Sequence, residues 1–114
     1  MRKLFVLFFV LLISVAMVFA QEYRLVRAEH ILVKTHSEAL ELEKRISNGE
    51  SFEELAKEYS ICPSGRRGGD LGYFRHGDMV SAFEEAAFNM AIGEISEPVK
   101  TQFGWHIIKV LDKE

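Results

Sequence analysis

The sequence predicts an α+β domain in which helices cover a mainly antiparallel sheet. Two observations carry that prediction. Runs rich in β-formers, Ile31-Leu32-Val33 and Ile107-Ile108-Lys109-Val110, stand near the two ends of the chain. Between them lie segments whose apolar residues recur at helical spacing, two of them opened by a Ser-x-x-Glu capping box. The resulting order is strand, two helices, strand, helix, strand, strand.

Residues 1–20 stand apart from that domain. Met1-Arg2-Lys3 is a positive start, Leu4 to Ala20 is an almost unbroken apolar run, and Val18-Phe19-Ala20 offers small residues before a cut at Gln21. That is the pattern of a secretory signal peptide. An uncleaved membrane anchor is the other reading, at the lower length limit for spanning a bilayer. Either way the expected address is beyond the cytoplasmic membrane, periplasmic or extracellular. The domain proper is then 21–114.

Glu22 to Lys34 reads as a strand; the run at Ile31 to Val33 suits a central position covered on both faces. Ser37 to Asn48 reads as a helix capped by Ser37, with Leu40 and Ile46 on its apolar face and Gly49 closing it. Ser51-Phe52-Glu53-Glu54 opens a second helix continued by Leu55, Ala56 and Tyr59. The intervening charges Glu41, Glu43, Lys44, Arg45, Glu53 and Lys57 read as a solvated face. A glycine-rich turn, Gly65-Arg66-Arg67-Gly68-Gly69, leads to a short strand at Leu71 to Phe74. Ser81 to Asn89 reads as a third helix, with Ser81 and Glu84 as a capping box and Phe83, Ala87 and Phe88 inward. Ile95 to Lys100 and Trp105 to Leu111 read as strands joined by Thr101-Gln102-Phe103-Gly104.

Setting aside the first 20 of 114 residues leaves 94, with twelve basic against seventeen acidic side chains, a charge of −5. No basic surplus is available for nucleic acid. Cys62 is the lone cysteine, so no internal disulfide supports the fold.

The stretch from Ser60 to Phe83 concentrates the unusual chemistry: Cys62-Pro63, the basic glycine turn, then Leu71, Met79 and Phe83 on a segment too short to hold a core alone. It reads as a folded-back loop lining a concave apolar site. With His30, Asp70, Thr101, Phe103 and His106, these are the candidate functional residues. Three chemistries compete for them. A cysteine–histidine hydrolase needs a thiolate, a base and an oxyanion hole, and Cys62-Pro63 matches no protease signature. A metal site built from His30, His36, His76, His106 and Cys62 lacks short ligand spacing, and no metal or other cofactor is expected. Rotation about an X-Pro bond needs no nucleophile, only an apolar slot for the ring and hydrogen bonds that favour the twisted amide. Physics alone does not rank that third chemistry above a plain peptide-binding module.

Five ordered blocks rank it. His30-Ile31-Leu32-Val33-Lys34, Ser60-Ile61-Cys62-Pro63-Ser64-Gly65, Gly68-Gly69-Asp70-Leu71-Gly72, Met79-Val80-Ser81-Ala82-Phe83 and the ending from Glu97 to Val110 together resemble the parvulin family of peptidyl-prolyl cis/trans isomerases, most of all its small single-domain bacterial members. The resemblance runs from about Ala28 to Leu111. It implies a parvulin-like (FKBP-like) domain with a four-stranded antiparallel sheet and the site on its concave face. By position, Leu71, Met79 and Phe83 match the proline-ring pocket, and Phe103 another apolar wall. His30 and His106 match the family's paired histidines, Thr101 the hydroxyl beside them, and Cys62 a cysteine read either as nucleophile or as polar tuner. The non-covalent role is the one expected here, because an exported thiol is exposed to oxidation.

Two departures bear on substrate choice. Phosphoserine-directed parvulins carry two arginines a few residues after the first strand, where this chain has Ala39 and Leu40; Lys34 alone makes no bidentate clamp. A preference for phosphorylated substrates is therefore not expected, and Arg66 and Arg67 would instead favour acidic residues beside the proline. Ser81 stands where relatives often have proline, which its expected capping role explains. The resemblance thus implies an isomerase acting on proline-containing unfolded or newly translocated polypeptides. The alternative is a peptide-holding chaperone module, disfavoured by the lack of flanking helical arms around the 94 residues. Contact with a membrane is expected only through an uncleaved N-terminus.

Overall fold

The computed structural model describes residues 22–114. The leader, and the cut expected at Gln21, lie outside those residues. The elements are β1 (Val26–Val33), α1 (His36–Ser47), α2 (Phe52–Tyr59), a 3-10 turn (Pro63–Arg67), β2 (Asp70–Phe74), α3 (Ser81–Asn89), β3 (Val99–Thr101) and β4 (Gly104–Lys113). Every neighbouring pair is antiparallel and the spatial order is β2-β1-β4-β3. This is the expected α+β sheet, with β1 central.

Alternation along β1 and β4 splits the core in two. Ile31, Val33 and Ile107 face α1 and α2, where they meet Leu42, Phe52 and Leu55. Val26, Ala28, Ile108 and Val110 face α3, where they meet Phe83 and Ala87. Burying each large aliphatic side chain contributes about 1.5–3 kcal/mol, which lets the domain fold without a cross-link. Cys62 is indeed a free thiol.

Several boundaries move. The first strand is eight residues rather than the thirteen expected; ahead of it the Arg24 and Leu25 amides donate to the Glu114 carbonyl at 2.7 and 2.8 Å. Thr35, not Ser37, caps α1, its hydroxyl accepting from the Glu38 amide. The inward face of α1 is Ala39 and Leu42, which leaves Leu40 47% exposed. Ser51 does cap α2 by accepting from the Glu54 amide. Tyr59, expected on the apolar face of α2, is largely exposed and accepts a hydrogen bond from Arg45. Ser81 is the first residue inside α3, so Val80 takes the cap position without a side-chain bond. Glu84, freed from the expected box, accepts instead from the Gly77 amide and lies 3.3 Å from His76. The strand expected at Ile95 to Lys100 survives as one bridge, Ile95 to Lys109, and the three residues of β3. Pro98 supplies no amide to continue a ladder between them.

The charged residues read as a solvated face do not all stay in water. Glu53 reaches Lys109 at 3.3 Å, and it and buried Glu29 act on each other's titration. Glu43 has a buried oxygen without a partner among the described residues.

Candidate active site

His30 on β1 and His106 on β4 fall on the α3 face, in line with Ala28 and Ile108. His30 pairs with Ile108 and Leu32 with His106, so the two histidines are diagonal neighbours, within reach of one another across the ladder. Their Nδ1 atoms lie 2.9 Å apart and both residues are buried. Phe83 of α3 meets the two rings edge-on at 5.5 and 5.3 Å.

One proton occupies the Nδ1–Nδ1 contact, since two N–H groups there would clash and two lone pairs would repel. His106 Nε2 lies 2.6 Å from Thr101 Oγ1, which accepts from the Phe103 amide at 3.2 Å. The arrangement leaving fewest orphan groups has His106 Nδ1–H donating to His30 and Thr101 O–H donating to His106 Nε2. Of the ring nitrogens only His30 Nε2 is then unsatisfied, a buried atom that has no partner among the described residues. Burial pushes both imidazoles down to about 4, with the neighbouring His106 adding to the effect at His30. The pair is neutral at pH 7.

Above this pair opens a cavity of about 500 Å3 with mainly apolar walls. Leu71, Met79 and Phe83 line it together with both histidines and Phe103. Leu71 is delivered by a bulge: Glu29 pairs with Asp70 and Arg27 with Tyr73, leaving Leu71 and Gly72 opposite Ala28 alone. Gly72 takes φ +70 there, and Asp70 accepts its amide at 2.9 Å. The bulge changes parity along β2, so Phe74 and Leu71 both pack with the α3-side core. Asp70 meets Arg27 at 2.6 Å. Asp70, one of the candidate functional residues, therefore fixes the bulge at Gly72 and ties it to β1.

β2 covers β1 only as far as Glu29, and the loop before it covers the rest. Gly69 O accepts from His30 N at 3.0 Å, Leu32 O from Ile61 N at 2.8 Å, and Ser60 Oγ from Leu32 N at 3.1 Å. This lacing closes the exposed edge of β1 and places Cys62 on the cavity wall. Cys62 Sγ accepts a hydrogen bond from Ser64 at 3.2 Å. Among the described residues no hydrogen bond joins that sulfur to either histidine, so no cysteine–histidine dyad is assembled. Among the described residues, too, no group of three His, Cys, Asp or Glu side chains is placed to hold a metal. His36 and His76 lie elsewhere, stacked on Trp105 and Phe88 at 4.3 and 3.8 Å.

The structure thus brings His30, Cys62, Leu71, Met79, Phe83, Phe103 and His106 to one cavity, with Thr101 bonded behind His106. It does not bring Lys34, Arg66 or Arg67 to its walls. Four further lining residues were not singled out from the sequence: Leu32, Ile61, Asp78 and Val80. Ile61 had a signal, since it immediately precedes the cysteine and breaks a polar stretch; it is 51% exposed at the cavity mouth. Asp78 had none, because its position depends on a turn in which it accepts from the Arg75 amide.

Three comparisons bear on what such a cavity does. The family described as Rotamase, the PPIC-type PPIase domain, matches residues 25–112. The foldase protein PrsA of Geobacillus kaustophilus is 56% identical over 90 residues, 78% of this chain and 32% of that protein. The chain therefore spans about a third of the length of that relative. The crystal structure of the peptidylprolyl isomerase PrsA from Bacillus anthracis superposes with a TM-score of 0.79 at 47% identity, over 81% of this chain and 43% of the other. NmPin, the parvulin of Nitrosopumilus maritimus, gives 0.72 at 46% identity over 81% of this chain and all of its own, 100%.

Proposed function

Because the chain belongs to the PPIC-type rotamase family, the parvulins, we propose that it accelerates cis/trans rotation about X-Pro bonds in unfolded or newly translocated polypeptides. The observation that carries this is the apolar cavity floored by a neutral histidine pair. Rotation is slow because twisting the amide forfeits resonance, a barrier of about 20 kcal/mol. An apolar slot formed by Leu71, Met79 and Phe83 holds the pyrrolidine ring while the preceding carbonyl turns. Water excluded from the slot no longer stabilises the planar, more polar amide. Neutral imidazoles suit that environment, since a charged one would draw water in. The bonded chain Thr101–His106–His30 fixes both rings, so their orientation is set before substrate arrives. Cys62, bonded to Ser64 rather than to a base, acts as a polar wall and not as a nucleophile.

Residues 21–114 form the isomerase domain in this proposal, and residues 1–20 direct it across the cytoplasmic membrane. An intact mass starting at Gln21 in the native envelope fraction would support cleavage. Among the described residues no helix is long and apolar enough to cross a membrane.

A protease-coupled assay with a proline tetrapeptide tests the activity on the protein from Gln21 onward. Catalysis is expected, with Phe83→Ala and His106→Ala each reducing kcat/KM at least tenfold, circular dichroism confirming that each variant folds. Unchanged rates in both variants would reject this site. Suppression of aggregation without any turnover would favour the peptide-holding alternative.

A further inference from the structure

A second cavity, of about 340 Å3, lies behind the wall that carries the cysteine. It shares Ile61, Cys62 and Pro63 with the proline cavity, so these three residues form the ridge between the two. Its far side is formed by Lys57, at the end of α2, and Arg66, on the 3-10 turn. The character of the two spaces differs: one is greasy, the other carries two cations in an otherwise acidic domain. Arg66 has no ion pair or hydrogen bond among the described residues, and Lys57 has one exposed contact with Glu54 at 3.4 Å. Arg67, its neighbour in sequence, is directed elsewhere, to the Asp70 carbonyl at 3.5 Å.

Resting on the isomerase reading above, we propose that Lys57 and Arg66 form a subsite for an acidic client residue adjoining the proline, reached across the Ile61–Pro63 ridge. One residue of extended chain advances about 3.3–3.6 Å, enough for a side chain beside the seated proline to cross such a ridge. An unpaired guanidinium then finds a carboxylate without first breaking an internal ion pair. The subsite differs from the expectation drawn from sequence, which named Arg67 with Arg66 and gave no place to Lys57.

The test compares tetrapeptides carrying Glu or Gln immediately before, and separately immediately after, the proline. In the unaltered protein kcat/KM is expected to favour Glu about three- to tenfold at one of these positions, and less at high salt. Combining Arg66→Gln with Lys57→Gln should bring the Glu/Gln ratio to about one, and Arg66→Lys alone should keep most of it. Reading a ratio within each variant removes any general loss of turnover. A ratio near one in the unaltered protein at both positions, or a preference that survives the double substitution, overturns the subsite. No turnover of any peptide would instead overturn the isomerase reading. The side-chain Nε–H resonance of Arg66 would still report the subsite then, moving with the Glu peptide and not with the Gln peptide if the subsite exists. A resonance that moved with neither would overturn it.

Discussion

Replacing Glu29 with glutamine should change how stability depends on pH, and by a definite sign. Glu29 lies in β1 next to His30 but on the opposite face, 7% exposed, with Oε1 lacking a partner among the described residues. Its carboxyl is raised to about 7, first by burial, then by the hydrogen bond to and charge of Glu53, while Lys109 draws it back. The folded state therefore holds this proton more tightly than the unfolded chain, where the carboxyl titrates near 4.5. That contribution is fully present below pH 4.5 and is lost as pH rises to about 7. A shift of this size corresponds to an upper limit of about 3 kcal/mol; solvent reaching Glu53 reduces the expected loss to about 1–2 kcal/mol. Glutamine keeps the shape and the donor to Glu53 but cannot ionise. Urea unfolding at pH 5 and pH 8 should show that Glu29→Gln gains about 1–2 kcal/mol on the unaltered protein between those two pH values. Parallel pH profiles for the two proteins would refute the buried-carboxyl account. The comparison cancels the titrating groups that do not touch Glu29; Glu53, whose own carboxyl is held low by its bonds to Glu29 and Lys109, keeps a donor in the glutamine.

Two further outcomes follow from the site. The histidines run the other way: with both depressed to about 4, their contribution is present above pH 6.5 and is lost as pH falls towards 4, so neither imidazole should titrate by NMR between pH 5.5 and 8. A midpoint near 6.5 for either ring would contradict the neutral pair. Gly69→Ala should destabilise by about 3 kcal/mol in chemical denaturation, because φ is +87 and the new Cβ would stand 2.3 Å from the His30 carbonyl oxygen, backbone against backbone. A loss under about 1 kcal/mol would show that the lacing of the loop to β1 is not needed.

Much of this was legible from residues near one another in the chain. The third helix has the bounds its apolar spacing implied, Ser81–Asn89. Alternation sets His30 in line with Ala28 and His106 in line with Ile108, and the pairing of β1 with β4 then puts both histidines on one face. Local rules misled where two similar residues competed. Thr35 and Ser37 both offer a capping hydroxyl, and the first wins because the chain turns helical one residue ahead of Ser37. Leu40 and Leu42 both offer an apolar face, and packing against β4 selects the second. The Glu29–Glu53–Lys109 cluster was not legible at all, since it joins three elements distant in sequence and reads locally as surface charge. The same holds for the basic cavity, whose two cations come from different elements.

The unpaired residue in β2 has a consequence for which changes this chain tolerates. Upstream of Gly72 the strand shows its side chains in one phase, downstream in the opposite phase, and the hydrophobic wall depends on both. Substitutions around Leu71 that keep an aliphatic shape leave the two phases intact. Losing the bulge at constant length, as a side chain at Gly72 that resists φ +70 would favour, puts Leu71 opposite Glu29 and Asp70 opposite His30, which turns Leu71 off the cavity face and brings Asp70 round to the greasy side. The backbone turn at Gly72 is thus held more strictly than the side chains around it, and replacement of that glycine is the change this segment should exclude.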